Sequence, residues 1–128
     1  MKIIKAASLL VTILLVSGCT TMADSIAAKG TGPHKIYDRP KPEVWPVVIE
    51  AVNSVGLELV TANESSSMVL AQRGITAFSY GENVAIFVED YSNQQCRVEV
   101  VSKKSMETNV FAPDWSKSIF EYLDSRFE

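Results

Sequence analysis

Histidine occurs only once, as His34 next to Pro33. A metal centre built from several imidazoles is therefore excluded, and a nucleophilic triad would need converging partners that no neighbouring motif supplies. His34 reads as a solvent-exposed residue at the entry to the domain. Cysteine is almost as scarce, with only Cys19 and Cys96, so a disulfide framework is excluded. Basic residues are outnumbered 12 to 15, a formal charge of −3, which argues against nucleic acid or an anionic lipid surface as the main partner. No apolar run reaches the roughly 20 residues of a spanning helix; the longest, Ala6 to Val16, has 11 and stops at Gly18. At 128 residues there is room for one domain and no second. Internal repeats and low-complexity segments are absent.

What is present at the start has a clear order. Lys2 and Lys5 form a positive head, Ala6 to Val16 an apolar stretch, and Ser17-Gly18 supply small residues before Cys19, the pattern of a secretory signal. The tetrad Val16-Ser17-Gly18-Cys19 resembles a lipobox, in which small residues let an extended backbone enter the peptidase and the thiol accepts a diacylglyceryl group. The resemblance implies that residues 1–18 are a signal peptide and that Cys19 becomes the lipidated first residue of a bacterial lipoprotein. Two or three acyl chains, at about 0.8 kcal/mol per buried methylene, make such anchoring permanent. Removing Lys2 and Lys5 moves the formal charge from −3 to −5. Thr20 follows the cysteine, not the aspartate that resembles an inner-membrane retention signal, so the expected location is the periplasmic leaflet of the outer membrane rather than the inner membrane.

From Thr20 to Pro33 the chain reads TTMADSIAAKGTGP, small and polar with Met22 and Ile26 as its larger apolar residues. It cannot bury enough surface to order itself, so residues 19–33 are expected to be a flexible tether reaching up to roughly 45 Å when extended. A single domain is expected over residues 34–128. It opens with a short strand at Lys35-Ile36-Tyr37, followed by a proline-rich break. Val44, Val47, Val48, Ala51, Val52 and Val55 then recur at the spacing of one buried helical stripe. Trp45 and Ile49 either widen that stripe or form an exposed anchor pair, Pro46 is tolerable only if it lies in the first turn, and Gly56 suits the helix end. Strands are predicted at Leu57 to Ala62, Met68 to Arg73, Ile75 to Tyr80, Asn83 to Asp90 and Cys96 to Lys103. A last helix is predicted from about Pro113 to Phe127, burying Trp115, Ile119, Phe120, Leu123 and Phe127. The order is β-α-β-β-β-β-α, an α+β fold with two helices on one face of an antiparallel sheet of four to five strands.

The stretch KPEVWPVVIEAVNSVGLELVTANESSSMVLAQ resembles the opening of small periplasmic lipoprotein domains. In outline it is similar to the helix-grip domains of outer-membrane assembly lipoproteins and to several uncharacterised lipoprotein families. Such families are usually non-enzymatic, and no catalytic motif is shared that would carry a residue over.

Chemistry-bearing groups read as structural. Cys96 alternates with Val98 and Val100 and reads as a buried apolar thiol. Glu89 and Glu99 alternate with apolar strand residues, Glu43, Glu50 and Glu121 lie on helix surfaces, and all five read as solvated. Gly30-Thr31-Gly32 lacks the strand and helix context of a phosphate loop and reads as linker, while Asn63-Glu64-Ser65 reads as turn chemistry. No catalytic residue, metal ligand or cofactor is assigned. Gly81-Glu82 reads as a two-residue turn that sets Tyr80 opposite Asn83. The next hairpin should set Val88 opposite Val98, Ile86 opposite Val100 and Glu89 opposite Arg97. The reverse face of the sheet then carries Thr76, Phe78, Tyr80, Phe87 and Val101, either partly covered by the tether or sheet curvature or free as a docking patch of Phe78, Tyr80 and Phe87. The expected function is a membrane-anchored, non-catalytic protein-binding or scaffold module with an envelope protein partner. Alternatives are an inhibitor or immunity-type lipoprotein and a small envelope hydrolase.

Overall fold

The computed structural model describes residues 21–74, 81–104 and 114–128. Among these residues eight elements follow in order: α1 (Met22–Ala27), β1 (His34–Tyr37), α2 (Lys41–Ser54), β2 (Glu58–Asn63), β3 (Met68–Arg73), β4 (Glu82–Ser92), β5 (Gln95–Lys104) and α3 (Trp115–Phe127). The five strands form one antiparallel sheet in the order β1-β5-β4-β3-β2. The fold is α+β, with α2 and α3 on one face as the periodicity implies. A third helix, α1, packs on the other face, where residues 19–33 had suggested only a tether.

The valine stripe explains α2. Val44, Val48, Ala51 and Val52 are wholly buried, and Trp45 and Val47 nearly so. They pack on Val69, Ala71, Val84, Ile86, Val88, Val98 and Val100 of the sheet and on Trp115, Ile119 and Leu123 of α3. The helix starts at Lys41, so Pro46 is its sixth residue and not part of its first turn as expected. It therefore supplies no N–H for the Pro42 carbonyl, a loss tolerated because Pro46 lies on the solvent side. At the other end Gly56 adopts φ +91°, while the Gly56 and Leu57 amides donate to the Asn53 and Val52 carbonyls at 3.3 and 3.1 Å. This is a Schellman closure, and the left-handed backbone favours glycine there. Asp114 starts α3 by accepting from the Ser116 amide at 3.1 Å. Arg126 of α3 reaches Glu50 of α2 at 2.8 Å.

The β4–β5 register is the one read from the alternation, with Val88 opposite Val98, Ile86 opposite Val100 and Glu89 opposite Arg97. The neighbour on the other side differs from expectation. Asn83 pairs with Gln72 of β3 and Lys103 of β5, and Glu82 is already part of β4, paired with Arg73 and Lys104, so Gly81-Glu82 is not the two-residue turn expected; Tyr80 lies outside the described residues. Both edges of β4 are already taken by β3 and β5. The strand expected at Ile75 to Tyr80 lies outside the described residues.

Candidate functional site

The reverse face of the sheet carries the unusual chemistry. Leu70, Ala85, Phe87 and Val101 make a small apolar cluster there, covered by Met22 and Ala28 of the segment around α1, with Met68 at its edge. A six-residue helix is too short to stand alone in water; its order comes from this docking. Ser25 is fully buried, and its hydroxyl donates to the Asn83 carbonyl at 3.3 Å. Asp24 closes the first turn by accepting from the Thr21 amide.

Beyond α1 the chain runs over Glu99. This carboxylate is 0% exposed, which corrects the expectation that it is solvated. Its Oε2 accepts two backbone N–H groups, from Gly30 at 2.7 Å and Gly32 at 3.0 Å, and its Oε1 lies 3.5 Å from the Arg97 guanidinium. Gly30-Thr31-Gly32 is therefore an anion nest filled from within the chain, not plain linker. Gly30 has φ +91°, and a Cβ on Gly32 would collide with the Val100 carbonyl. The charges alternate outward: Arg97 is 4.0 Å from Glu89, and Glu89 is 3.1 Å from Lys29. The Lys29 ammonium also stands 5.3 Å from the centre of the Phe87 ring. The missed signal was available, since Glu99 faces Phe87 across the strands, on the very face that reads as apolar.

The expected docking patch is corrected in one member. Phe87 is 3% exposed beneath the α1 segment, so it is not a surface residue. Phe78 and Tyr80 lie outside the described residues, as does Cys19. Cys96 is fully buried, and burial pushes its thiol pKa up to about 11, leaving it protonated and inert. His34 is exposed at the start of β1. Asn63 shapes its turn by accepting from the Ser66 amide at 3.2 Å.

A second polar cluster ties β1 to α3. Lys35 lies 2.7 Å from the Asp124 carboxylate, and the buried Tyr37 hydroxyl donates to it at 2.9 Å. Burial opposes the charge on Asp124, but Lys35 and Tyr37 outweigh it and hold the carboxyl below its ordinary value of 3.8. The bond to Asp124 raises the Lys35 ammonium above 10.5. A depressed carboxyl contributes stability above its unfolded value and loses it as pH falls through the folded one. A raised ammonium contributes below 10.5 and loses it as pH climbs past its folded value. The cluster should thus hold through neutral pH and fail only in acid below about pH 4 and in strong alkali. Asp124→Ala should cost about 1–2 kcal/mol at pH 7, because it orphans the Tyr37 hydroxyl, and should flatten the acid limb of the melting-temperature profile. Wild-type and variant profiles that run parallel from pH 3 to 7 would contradict this.

A cleft of about 270 Å³ adjoins the nest, lined by Thr31, Gly32, Pro33, Val100 to Lys103, Asp114 and Ser116. The Asp114 carboxylate in it is engaged by the Ser116 amide and hydroxyl. Among the described residues no three or more His, Cys, Asp or Glu side chains gather as a metal site, and no helix is long and apolar enough to cross a membrane. What the arrangement does chemically is fasten one stretch of chain to the sheet.

No protein-family model matches the chain, and no curated protein matches it. Among solved structures, the solution NMR structure of a structural-genomics target from Thermobifida fusca is similar at a TM-score of 0.46 and 11% identity, over 70% of this chain and 76% of that one.

Proposed function

We propose that the chain is a bacterial envelope lipoprotein, lipidated on Cys19, whose domain serves as a non-catalytic binding or scaffold module at the periplasmic leaflet of the outer membrane. The observation that carries this reading is the tetrad Val16-Ser17-Gly18-Cys19 placed directly after an 11-residue apolar stretch with a lysine head. The engagement of three carboxylates near the sheet and the cleft supports the non-catalytic part. Glu99 is spent on the Gly30 and Gly32 amides, Asp124 on Lys35 and Tyr37, and Asp114 on a helix start. A general acid or base needs a group free to meet substrate.

Cys19→Ala should abolish incorporation of a radiolabelled fatty acid and leave an uncleaved precursor or a protein released from the membrane fraction. Equal label in variant and wild type would refute the lipid assignment. The scaffold reading is checked by crosslinking the lipidated protein in its native envelope, where a stoichiometric protein partner is expected; recovery of none would count against it.

A further inference from the structure

The segment that leads from the anchor position to the sheet is folded down, and that fixes how far the domain can stand from its attachment point. Two peptide units separate Cys19 from Thr21, the residue that caps α1, a span of at most about 7 Å. Undocked, the stretch from Thr20 to Pro33 would instead behave as a chain of 14 residues, with an average reach of roughly 20 Å and a limit near 45 Å. The docked form is held by a shallow apolar contact, by the Ser25 hydroxyl on the Asn83 carbonyl and the Lys29–Glu89 ion pair, and by one buried carboxylate. Met22 and Ala28 rest on the cluster of Leu70, Ala85, Phe87 and Val101, and Glu99 takes the Gly30 and Gly32 amides. A buried carboxylate with two N–H donors on one oxygen is a strong, directional fastening while closed. Once the segment lifts, water can replace the lost donors, so the open state carries no orphaned charge.

We propose that Met22–Gly32 is a strap, latched by Glu99, that holds the domain flat against the bilayer and sets its reach by opening or staying shut. This rests on the lipoprotein reading for what the strap attaches to, but the latch itself is a property of the fold. The surface uncovered by opening is the reverse face of the sheet, so reach and exposure of Phe87 change together. Glycine at position 32 is part of the device, since any side chain there meets the Val100 carbonyl.

The experiment uses the full-length lipidated protein in vesicles of phosphatidylethanolamine and phosphatidylglycerol. Three forms are compared: wild type, Glu99→Ala, and Gly32→Ala, which disturbs the strap by sterics without removing a charge from the sheet. In wild type the Gly30 and Gly32 amides should exchange with solvent at least about tenfold more slowly than in an unstructured peptide, and trypsin should cut slowly after Lys29. Both variants should lose that protection while keeping slow exchange at Val84, Ile86 and Val100. Energy transfer from a dye on Asn93→Cys to a headgroup acceptor should report a mean separation larger by roughly 10–15 Å. Fast exchange at Gly30 and Gly32 in wild type, or full protection retained in both variants, would overturn the latch. If Glu99→Ala loses the core protection as well, Gly32→Ala decides alone. Absence of fatty-acid label on Cys19 would overturn the anchor reading instead, and the exchange measurements would still test the latch.

Discussion

Val52→Asp is expected to abolish the cooperative thermal transition of the domain. Val52 is wholly buried in α2, and its carbonyl closes the helix through the Leu57 amide. Its side chain belongs to the cluster that joins α2 to the sheet and to α3. The substitution forfeits about 1.5–3 kcal/mol of apolar burial and places a carboxylate where no donor faces it, at a cost of several kcal/mol more. A domain of this size has about 5–15 kcal/mol in total, so the sum consumes most or all of it. Val48→Asp should behave alike, since Val48 is equally buried one turn earlier. Val60→Asp is the control: Val60 is 49% exposed on the edge strand β2, and its effect should stay within about 0.5 kcal/mol. Circular dichroism melts of the three variants check this, and a normal transition in Val52→Asp would mean that the buried face of α2 was misplaced.

The contrast between Val52 and Glu99 shows which parts of the molecule were legible beforehand. A helical stripe of six aliphatic residues has one stable disposition, and the structure buries five of the six fully or nearly so, with Val55 packed at the margin. The β4–β5 register was likewise determined, because a one-residue slip would turn Val88, Val98 and Val100 out of the core. Alternation fixes the face of each residue but not which strand lies beside which. Met68–Arg73 and Ile75–Tyr80 carry equally good patterns, yet β3 takes the edge of β4 that the alternation offers to Ile75–Tyr80.

The candidate site was less legible for a related reason. The α1 segment has little apolar content of its own, and its order depends on surface supplied by β3, β4 and β5, far away in sequence. Glu99 looked like a solvated strand residue because the two amides that satisfy it come from Gly30 and Gly32. Backbone donors leave no mark in a side-chain pattern. Only the excess of apolar side chains on the reverse face hinted that something must cover it.

Phe87→Ser turns that point into a measurement. Were Phe87 an exposed contact residue, its loss would leave the fold intact and weaken only the capture of a partner. In the structure it is 3% exposed, clustered with Leu70, Ala85 and Val101 and paired across the sheet with Met68 and Glu99. Removing a buried phenylalanine costs about 3–5 kcal/mol, and the serine hydroxyl adds a polar group to an apolar site. The reverse-face cluster is thin and α1 can settle part of the way into the gap, so the lower end, about 3 kcal/mol, is expected. For a domain of this length that is a fall of roughly 12–20 °C in melting temperature. Phe87→Leu keeps most of the volume and should cost only about 1–1.5 kcal/mol. The serine variant should also free the strap, since Lys29 loses the ring beneath its ammonium, so trypsin cleavage after Lys29 should accelerate below the melting temperature. A serine variant that melts with wild type would return Phe87 to the surface and remove the cover that α1 is here assigned.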